Sequence, residues 1–473
     1  MHHSQTHSAP SNATPVAPLL VVAGATMLAL IVFTQPLTTL AASVADLGSG
    51  PGGQAWILSG MPLGAAAGLL GAGALGDNLG RKRVFLSGVT LLVIASIVAA
   101  LAWSTFVLVA ARVVQGLASS ALLACGLGLI GQVYPHGPAR VRAAGIWAAG
   151  LGAGVAIGPI IAAGLLSFGG WRASHAVVAI LATPLALSGR RRLPETVIKN
   201  PARVDYAGSV VLMVGMGAFL AALTEMRLGF RPHVIWLFAA GVILLCVFVW
   251  IEVQTSNPIL QLSLFTRADF VGATTGAFAS GAGVLSIMTL LPTVLERSLG
   301  VSPLLAAVVL IAWSAMTVIT ALAANRLHSG LSPRALLLWS MFGCGVGQVL
   351  LWLVVPSGGV LLALPGLLMA GISNGFLNAA LGHQAVQTVP QDRTAMGSAA
   401  NNTARYLGSA IGITIAAVLI AHGAEVHGAS GLFSGWRQAI LVSVAFTVIG
   451  IAIVFFARSR DLATTDAQTA QTA

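Results

Sequence analysis

Long apolar runs alternate with short polar breaks along nearly the whole chain. Most runs are about 20 residues long or longer, the length that a helix needs to cross a hydrocarbon core of about 30 Å. The pattern predicts an all-α integral membrane protein embedded in a lipid bilayer, with 14 transmembrane helices, numbered here as spans one to fourteen. Their approximate limits are 17–44, 55–76, 84–103, 106–133, 142–168, 172–189, 206–226, 233–253, 270–295, 303–325, 335–355, 359–381, 397–421 and 438–457.

Composition supports this interpretation. Of the 473 residues, 57% are apolar and only 7% are charged, too few to cover the surface of a soluble protein. The formal net charge of +11 would suggest nucleic acid in a soluble protein, but the 23 basic residues are scattered between apolar runs. Their placement indicates membrane topology and no nucleic-acid partner. The three cysteines lie inside apolar runs without paired spacing, so no metal site and no cofactor are predicted.

The basic residues are divided unequally between the two sides of the predicted bundle. Cytoplasmic loops carry the excess of Lys and Arg, so the division predicts that both termini are cytoplasmic. Richness in Ala, Gly and Arg favours a bacterial host, and hence the cell membrane. The predicted inside segments hold Arg81, Lys82, Arg83, Arg140, Arg142, Arg190, Arg191, Arg192, Lys199, Arg203, Arg267, Arg326, Arg334, Arg393, Arg458 and Arg460, and the outside loops hold Arg172, Arg227, Arg231, Arg297 and Arg437.

The most specific motif lies in the loop between spans two and three. It reads Gly73-Ala-Leu-Gly-Asp77-Asn-Leu-Gly80 and continues with Arg81, Lys82 and Arg83. The glycines allow tight turns, and the Asp can accept hydrogen bonds from a helix N-terminus or pair with an Arg. The stretch resembles the loop signature of the major facilitator superfamily, which implies a gating role in the switch between inward-open and outward-open states. The alternative is an ordinary basic loop.

Span four carries an arginine inside its apolar run, in the sequence Arg112-Val-Val-Gln115-Gly116. Arg112 lies about 10 Å along the span from its predicted outer end. A guanidinium there is expected to face a cavity or a buried partner, although snorkelling to the surface is the alternative. The stretch resembles the second motif of the same superfamily.

Span five carries glycines at helical spacing that end in a proline, with Gly154, Gly158 and Pro159 at its centre. Such glycines permit close helix approach, and the proline introduces a kink. The stretch resembles the motif that marks antiporters in the superfamily, except that Ala162 and Ala163 replace the family's glycine pair. Simple helix packing is the alternative.

Two further stretches indicate which family within the superfamily the chain resembles. They begin at Asn257-Pro258 after span eight and at Leu291-Pro292 within span nine, and both look like the fourteen-helix drug:proton antiporters of the superfamily. This resemblance implies two six-helix halves plus two extra central helices. The expected organisation is a disordered cytoplasmic tail at 1–16, the first half at 17–189, a basic cytoplasmic linker at 190–205, two additional helices at 206–253, the second half at 254–457 and a cytoplasmic tail at 458–473.

The sequence departs from this family at one position. Members carry an Asp within span one, and counting back from Asp46 places Val32 there instead. Proton coupling needs a titratable group that cycles between states. Glu225 and Glu296, near the outer helix ends, are the candidates that remain. All the acids fall in loops, tails or near predicted helix ends, namely Asp46, Asp77, Glu195, Asp205, Glu225, Glu252, Asp269, Glu296, Asp392, Glu425, Asp461 and Asp466.

Polar residues inside the spans are the candidates for a substrate cavity. Interhelical hydrogen bonding is the alternative for the Asn and Thr residues. Because two arginines lie inside the membrane without an acid, neutral, amphipathic or anionic substrates are favoured over strongly cationic ones. Besides Arg112 and Gln115 of the span-four motif, the candidates are Thr34, Gln35, Thr38, Asn374, Asn378, Asn401, Asn402 and Arg405.

The sequence therefore predicts a secondary transporter that exports small hydrophobic or amphipathic compounds, with proton antiport, as a monomer. Monomer and antiport are implied by the resemblance. A nutrient or metabolite carrier of the same superfamily is the alternative within transport. A membrane-embedded enzyme is disfavoured because no HExxH motif or His/Asp cluster is present, and a receptor because no long hydrophilic stretch is present.

Overall fold

A computed structural model describes residues 16–134, 137–195, 205–227, 229, 231–255, 258–327, 331–355, 358–390 and 393–457. Helices make up most of these ranges, and no strand occurs within them. The two predicted tails, apart from residue 16, lie outside the described residues. So do residues 196–204 of the predicted linker, together with Asn257 and Asp392.

Helices in the first part of the chain form spans one to eight. They are Val16–Thr34 followed by Pro36–Leu47, then Pro51–Leu79, Arg81–Ala100, Thr105–Val133, Gly137–Arg192, Tyr206–Met226 and Pro232–Gln254. Spans nine to fourteen comprise Ala268–Ala279 with Ser280–Leu285 and Ser286–Leu299, Pro303–Leu327, Pro333–Leu350, Leu364–Gln387 and Thr394–Phe456. Short 3₁₀ turns occur at Leu262–Thr266, Leu351–Leu353 and Val360–Ala363.

Two glycines divide one of these helices into two spans. Within the described residues, 13 helical stretches are long and apolar enough to cross a membrane. The stretch Arg142–Arg192 among them is interrupted by non-helical backbone at Gly169 and at Gly170, where φ is +66°. Only glycine adopts such a φ without strain. Because this stretch contains spans five and six, the described residues form fourteen spans, as predicted.

The longest helix, Thr394–Phe456, also reverses direction. A β-carbon placed on Gly435 would lie 2.4 Å from the carbonyl oxygen of Leu419. In a straight helix these two residues would be about 24 Å apart. Spans thirteen and fourteen are therefore a tight antiparallel hairpin, with glycines at the contact.

Two large hydrophobic cores organise the bundle, and a smaller cluster around Ile57, Leu108 and Trp171 lies beside them in the first part of the chain. One is built mainly from spans one to eight and reaches into span thirteen through Met396, Ala399 and Tyr406. The other is built mainly from spans nine to fourteen, with the buried Trp436 among its largest side chains. Large apolar side chains such as Trp236 of span eight are exposed, as expected for a surface that faces lipid.

The two cores meet along two seams. In one seam span five approaches span ten, where a β-carbon on Gly152 would lie 2.7 Å from a methyl of Val318. In the other seam span two packs against span thirteen. Spans seven and eight pack on each other, and span seven also packs on spans two and thirteen, so the extra pair sits beside the second seam.

Candidate functional site

Asp77 joins the two cores at one end of the molecule. This end carries the loop Gly73–Arg83 and is called the basic end below. Oδ1 of Asp77 accepts hydrogen bonds from Arg81, at 3.0 Å from Nε and 2.8 Å from Nη2. Oδ2 accepts from the main-chain N–H of Met396, in the first turn of span thirteen, at 3.0 Å. A carboxylate is favoured at a helix N-terminus because unpaired N–H groups and the helix dipole point at it.

Small residues bring the backbones together around this contact. A β-carbon on Gly73 would lie 2.8 Å from that of Ala399 and 2.9 Å from the carbonyl oxygen of Ala395. Ser398 donates a hydrogen bond across the same seam to the carbonyl oxygen of Leu123, at 3.3 Å. The basic end is therefore closed in this conformation, with spans two and four against the start of span thirteen.

Gly80 and Lys82, which follow Asp77 in the loop, are engaged within the first half of the chain. Gly80 has a φ of +104°, which lets span three start directly after span two. Lys82 is buried along its stem, and its Nζ lies 2.7 Å from Oε1 of Glu195, just after span six. This ion pair holds the pKa of Glu195 below its ordinary value, first through the hydrogen bond from Lys82. Arg83 is exposed.

Arg112 is completely buried, so its side chain does not snorkel in this conformation. Nε donates to the carbonyl oxygen of Ile57 at 2.6 Å, and Nη1 donates to that of Val32 at 3.3 Å. Nη2 has no hydrogen-bond partner in the described part of the chain. No carboxylate of the described residues pairs with this guanidinium, so its charge is held by main-chain dipoles alone.

Buried polar side chains surround Arg112. Gln115 lies one turn away on span four and contacts Ser96 at 3.1 Å and Nδ1 of His175 at 3.4 Å. Gln35, at the break in span one, donates to the carbonyl oxygen of Ser174 at 2.9 Å. The Oε1 atoms of both glutamines are buried without a partner among the described residues. The cluster thus presents one free donor, on Arg112, and two free acceptors.

The glycines of the span-four and span-five motifs are packing positions. A β-carbon on Gly116 would lie 2.1 Å from the carbonyl oxygen of Met61. One on Gly154 would lie 2.5 Å from that of Met27, and one on Gly158 would lie 2.1 Å from the hydroxyl of Thr34. Such separations are far below van der Waals contact, so only glycine fits. At these glycines span four packs closely against span two, and span five packs closely against span one.

Two threonines of span one complete this contact. Thr34 bonds back to its own helix, to the carbonyl oxygens of Leu30 and Ile31. Thr38 donates across to the carbonyl oxygen of Pro159 at 3.2 Å. Both hydroxyls are therefore engaged within the first half in this conformation.

Arg405 forms a second polar cluster, on span thirteen. Its Nη2 donates to Oδ1 of Asn402 at 2.6 Å and its Nη1 to Oδ1 of Asn378 at 3.3 Å, while Nε has no partner among the described residues. The side chain remains partly exposed. The next residue, Tyr406, packs on Phe33 of span one with ring centroids 6.2 Å apart. The cluster therefore lies close to the place where the halves meet.

A π-helical stretch of span nine, Ser280–Leu285, packs against span thirteen at this level. A β-carbon on Gly281 would lie 1.9 Å from the carbonyl oxygen of Arg405. Such wide turns are rare and are found often at functional sites. The main chain at Arg405 therefore packs directly against the π-helical stretch of the neighbouring span nine.

Two other polar candidates face neighbouring helices. Asn374 approaches the hydroxyl of Thr317 on span ten at 3.4 Å, and Asn401 donates to the carbonyl oxygen of Ala273 on span nine at 3.2 Å. Both contacts lie within the second half. Both side chains are buried, as interhelical hydrogen bonding requires.

The two acids considered for proton coupling have different surroundings. Glu225, at the end of span seven, accepts a hydrogen bond from the indole of Trp56 on span two and lies 3.8 Å from His233. Arg227, two residues on, donates to Thr414 of span thirteen at 3.2 Å. Glu296 is partly exposed in the last turns of span nine. Glu225 therefore sits beside a contact between spans seven and thirteen.

The structure thus gathers the candidates into three groups. Asp77 and Arg81 lie at the basic end, Gln35, Arg112 and Gln115 lie in the first half, and Asn378, Asn402 and Arg405 lie on the second. Sequence reasoning missed Met396 and did not place His175 beside Gln115. A histidine four residues after a tryptophan at a helix start was the available signal, but its partner lies on another span.

Fourteen helical spans, with a buried arginine in the first half, a second arginine near the seam and a carboxylate that bonds one half to the other, define a polytopic secondary transporter. Residues 19–413 match the sequence profile of the Major Facilitator Superfamily. The chain belongs to this superfamily, whose members are membrane transporters rather than enzymes, so the predicted fold and class are confirmed.

Several characterised proteins are similar to the chain over most of its length. The multidrug efflux pump LfrA of Mycolicibacterium smegmatis is 29% identical over 76% of this chain and 71% of its own. The methylenomycin A resistance protein of Bacillus subtilis is 26% identical over 94% and 95%, respectively. The crystal structure of the human organic anion transporter MFSD10 superposes with a TM-score of 0.63 over 93% of this chain and 100% of its own, at 16% identity, which supports the fold.

Proposed function

We propose that the chain exports small hydrophobic or amphipathic compounds, drugs and antibiotics among them, from the cell in exchange for protons. Membership of the superfamily and relatives named for multidrug efflux and antibiotic resistance support export. The single structural observation that carries the proposal is Asp77, which links span two to the start of span thirteen and so closes one end of the seam. A closed end between two separately packed halves is what alternating access requires.

In this proposal both termini and the basic end face the cytoplasm of a bacterial cell, and the protein acts as a monomer in the cell membrane. Residues 17–189 and 254–457 are the halves that rock against each other, and 206–253 form an accessory pair. The described conformation is then closed toward the cytoplasm. Opening would break the contact of Asp77 with Met396 and the contact of Ser398 with Leu123.

The substrate binds between the halves, near Arg405 with Asn378 and Asn402, and near Gln35 with Arg112. Unpaired polar atoms at Gln35, Arg112 and Arg405 support this assignment, because buried donors and acceptors gain most from a ligand that satisfies them. Thr34, Thr38, Asn374 and Asn401 shape the walls and reach substrate only if their present hydrogen bonds rearrange. Two guanidinium groups without a carboxylate favour neutral or anionic compounds.

Protons exchange for the substrate through acids at the outer end. Glu225 is the stronger candidate, because its contacts with Trp56 and His233 lie beside the span-thirteen contact of Arg227. A change in its charge would act where spans two, seven and thirteen meet. Glu296, in span nine, is the second candidate and has a more exposed position.

Susceptibility profiling and vesicle transport test the proposal. Deletion of the gene is expected to sensitise the host to several dyes and antibiotics, and inside-out vesicles are expected to accumulate a dye only when their lumen is acidic. Glu225→Gln should abolish the response to the pH gradient, whereas Asp269→Asn, which removes an exposed carboxylate paired with Arg267, should not. Transport that ignores an imposed pH gradient would refute proton antiport, and loss of growth on a nutrient would instead favour uptake.

A further inference from the structure

Two carboxylates meet where spans seven and eight come together at the basic end. Asp205 precedes span seven and caps it, because its Oδ1 accepts from the main-chain N–H of Gly208 at 2.7 Å. Glu252 lies in the last turn of span eight and is only 3% exposed. Its Oε2 accepts from the main-chain N–H of Leu260 at 2.9 Å. Each carboxylate therefore uses one oxygen for a main-chain contact.

The other oxygen of each group is buried and unpaired. Oδ2 of Asp205 and Oε1 of Glu252 have no hydrogen-bond partner in the described part of the chain. A β-carbon on Gly208 would lie 2.4 Å from the first and 3.3 Å from the second. The two unpaired oxygens therefore lie close together above the same glycine, which leaves room for both.

The charged surroundings do not compensate two negative groups. Asp205 and Arg393 are the charged groups that act on Glu252, and Arg393 directs its Nη1 to the carbonyl oxygen of Pro258, at 2.9 Å. Neither carboxylate forms an ion pair among the described residues. Two neighbouring acids at a buried site resist simultaneous ionisation.

We infer that Asp205 and Glu252 form a proton-binding site in which one proton is held between Oδ2 of Asp205 and Oε1 of Glu252. A protonated carboxyl group gains one O–H donor and retains acceptor capacity, so a single proton satisfies both unpaired oxygens. The ligand is the proton itself. When it leaves, two carboxylates repel each other at a buried contact.

The site is connected to the closed basic end. Glu252 holds the segment after span eight through Leu260, and Arg393, at the start of span thirteen, holds the same segment through Pro258. Met396, which contacts Asp77, follows three residues after Arg393. Deprotonation of the pair therefore loosens the segment that anchors the start of span thirteen. This consequence rests on the proposed alternating access, whereas the shared proton does not.

Infrared difference spectroscopy on the full chain in lipid nanodiscs tests the proton directly. As the pH is stepped upward from about 4, where free carboxyl groups ionise, the intact protein is expected to retain a protonated carboxyl band. Glu252→Gln should abolish it, because the buried carboxyl group that holds the proton is removed. Asp205→Asn should shift the pH at which the band disappears, because Glu252 then no longer faces a second carboxylate. Asp269→Asn, which removes an exposed acid paired with Arg267, should leave the band unchanged.

Absence of the band in the intact protein, or a band that titrates at the same pH in Asp205→Asn as in the intact protein, would overturn the shared proton. A band that disappears on addition of Na⁺ at constant pH would assign the site to a metal cation instead. If either variant fails to elute as a monodisperse species, Gly208→Ala provides the second test, because its β-carbon would separate the two oxygens and should shift the titration of the band.

A second measurement separates this inference from the transport proposal. The rate of labelling of Cys125, which is buried behind Gly76 at the closed end, is compared between the intact protein and Glu252→Gln at each pH. The thiolate fraction rises with pH in both proteins, so the ratio of the two rates reports the gate, and this ratio is expected to increase with pH. A shared-proton band together with a ratio that does not change with pH would remove the link to the gate and leave the proton site standing. If the labelling behaves as expected but the protein transports no drug, only the export proposal is rejected.

Discussion

Nη1 of Arg112 donates a hydrogen bond to the main-chain carbonyl of Val32, at 3.3 Å. In an α-helix this carbonyl would accept from the residue four positions later, which here is Pro36 and has no N–H. Arg112 therefore supplies the donor that the proline removes. Val32 stands at the position where the antiporter resemblance implies an acid. Its main-chain carbonyl is left without a helical donor by the break in span one, and it therefore accepts the hydrogen bond from Arg112.

Arg112→Ala is expected to lower stability and to abolish resistance. The substitution leaves the Val32 carbonyl buried without a donor, which costs about 1–3 kcal/mol, and it opens a cavity in the first core. Arg112→Lys retains the charge but provides one point donor instead of a planar fork, so we expect partial function. Thermal unfolding in detergent and drug susceptibility measure the two effects.

Arg190→Ala is the matched control, because Arg190 is exposed at the end of span six. It should change neither the unfolding temperature nor resistance. If Arg112→Ala behaved like this control, the hydrogen bond to Val32 would have no structural importance and the assigned role of Arg112 would be withdrawn.

Asp77→Asn is expected to open the basic end. The amide keeps the size of the side chain but loses the ion pair with Arg81 and weakens the bond to the N–H of Met396. Hydrogen bonds to charged groups contribute about 1.5–3 kcal/mol, so the open state should gain about tenfold or more in population. The rate at which maleimide labels Cys125 reports this change, in a background with Cys246→Ser and Cys344→Ser.

Asp269→Asn serves as the control for this change as well, since its ion pair with Arg267 is exposed and lies within one half. Equal labelling rates in Asp77→Asn and the intact protein would contradict the role of Asp77 in closing the basic end. Labelling that rose in both variants would indicate a general loosening of the fold instead of a specific opening.

The positions of the spans could be predicted from the sequence because hydrophobicity over about 20 residues is a local property. The predicted boundary between spans five and six coincides with Gly169 and Gly170. The predicted end of span twelve was early, since the helix continues to Gln387. Gln384 there lowers the local hydrophobicity without ending the helix, because its amide donates a hydrogen bond to the carbonyl oxygen of Pro333 on the neighbouring span.

The partners of the polar residues did not follow from the sequence. Asp77 contacts Met396, which is 319 positions away, and Asp205 meets Glu252 only because spans seven and eight pack on each other. The π-helical stretch Ser280–Leu285 also has no signature in a hydrophobicity pattern. These features depend on helix rotation and register, and an apolar helix surrounded by other apolar helices leaves both unspecified.

The ion pair of Lys82 with Glu195 predicts a pH-dependent stability. The hydrogen bond from Lys82 lowers the pKa of Glu195 from its ordinary value of 4.5, so the folded state favours the ionised group. The resulting stabilisation is present above that value and is lost as the pH falls through the lowered pKa. Because Glu195 is exposed, the effect should be small.

Glu195→Gln removes the titrating group from this pair. The intact protein should unfold at a slightly higher temperature than the variant at pH 7, and the difference should vanish in strong acid. Differential scanning fluorimetry across the pH range measures it. A difference that grew as the pH fell would have the wrong sign and would contradict the stabilising role of the pair.

Gly154 and Gly164, ten positions apart on span five, are predicted to respond to alanine in opposite directions. At Gly154 the new β-carbon would lie 2.5 Å from the carbonyl oxygen of Met27, so span one must move away, at a cost of about 1–3 kcal/mol. At Gly164 nothing lies within 4 Å, and alanine there should stabilise the helix by about 0.5–1 kcal/mol. Gly154→Ala should therefore unfold at a lower temperature and lose resistance, and Gly164→Ala should unfold at a slightly higher one and keep it. If the two variants shifted together, helix propensity alone would explain the span-five glycines, and the close contact between spans one and five would not constrain them.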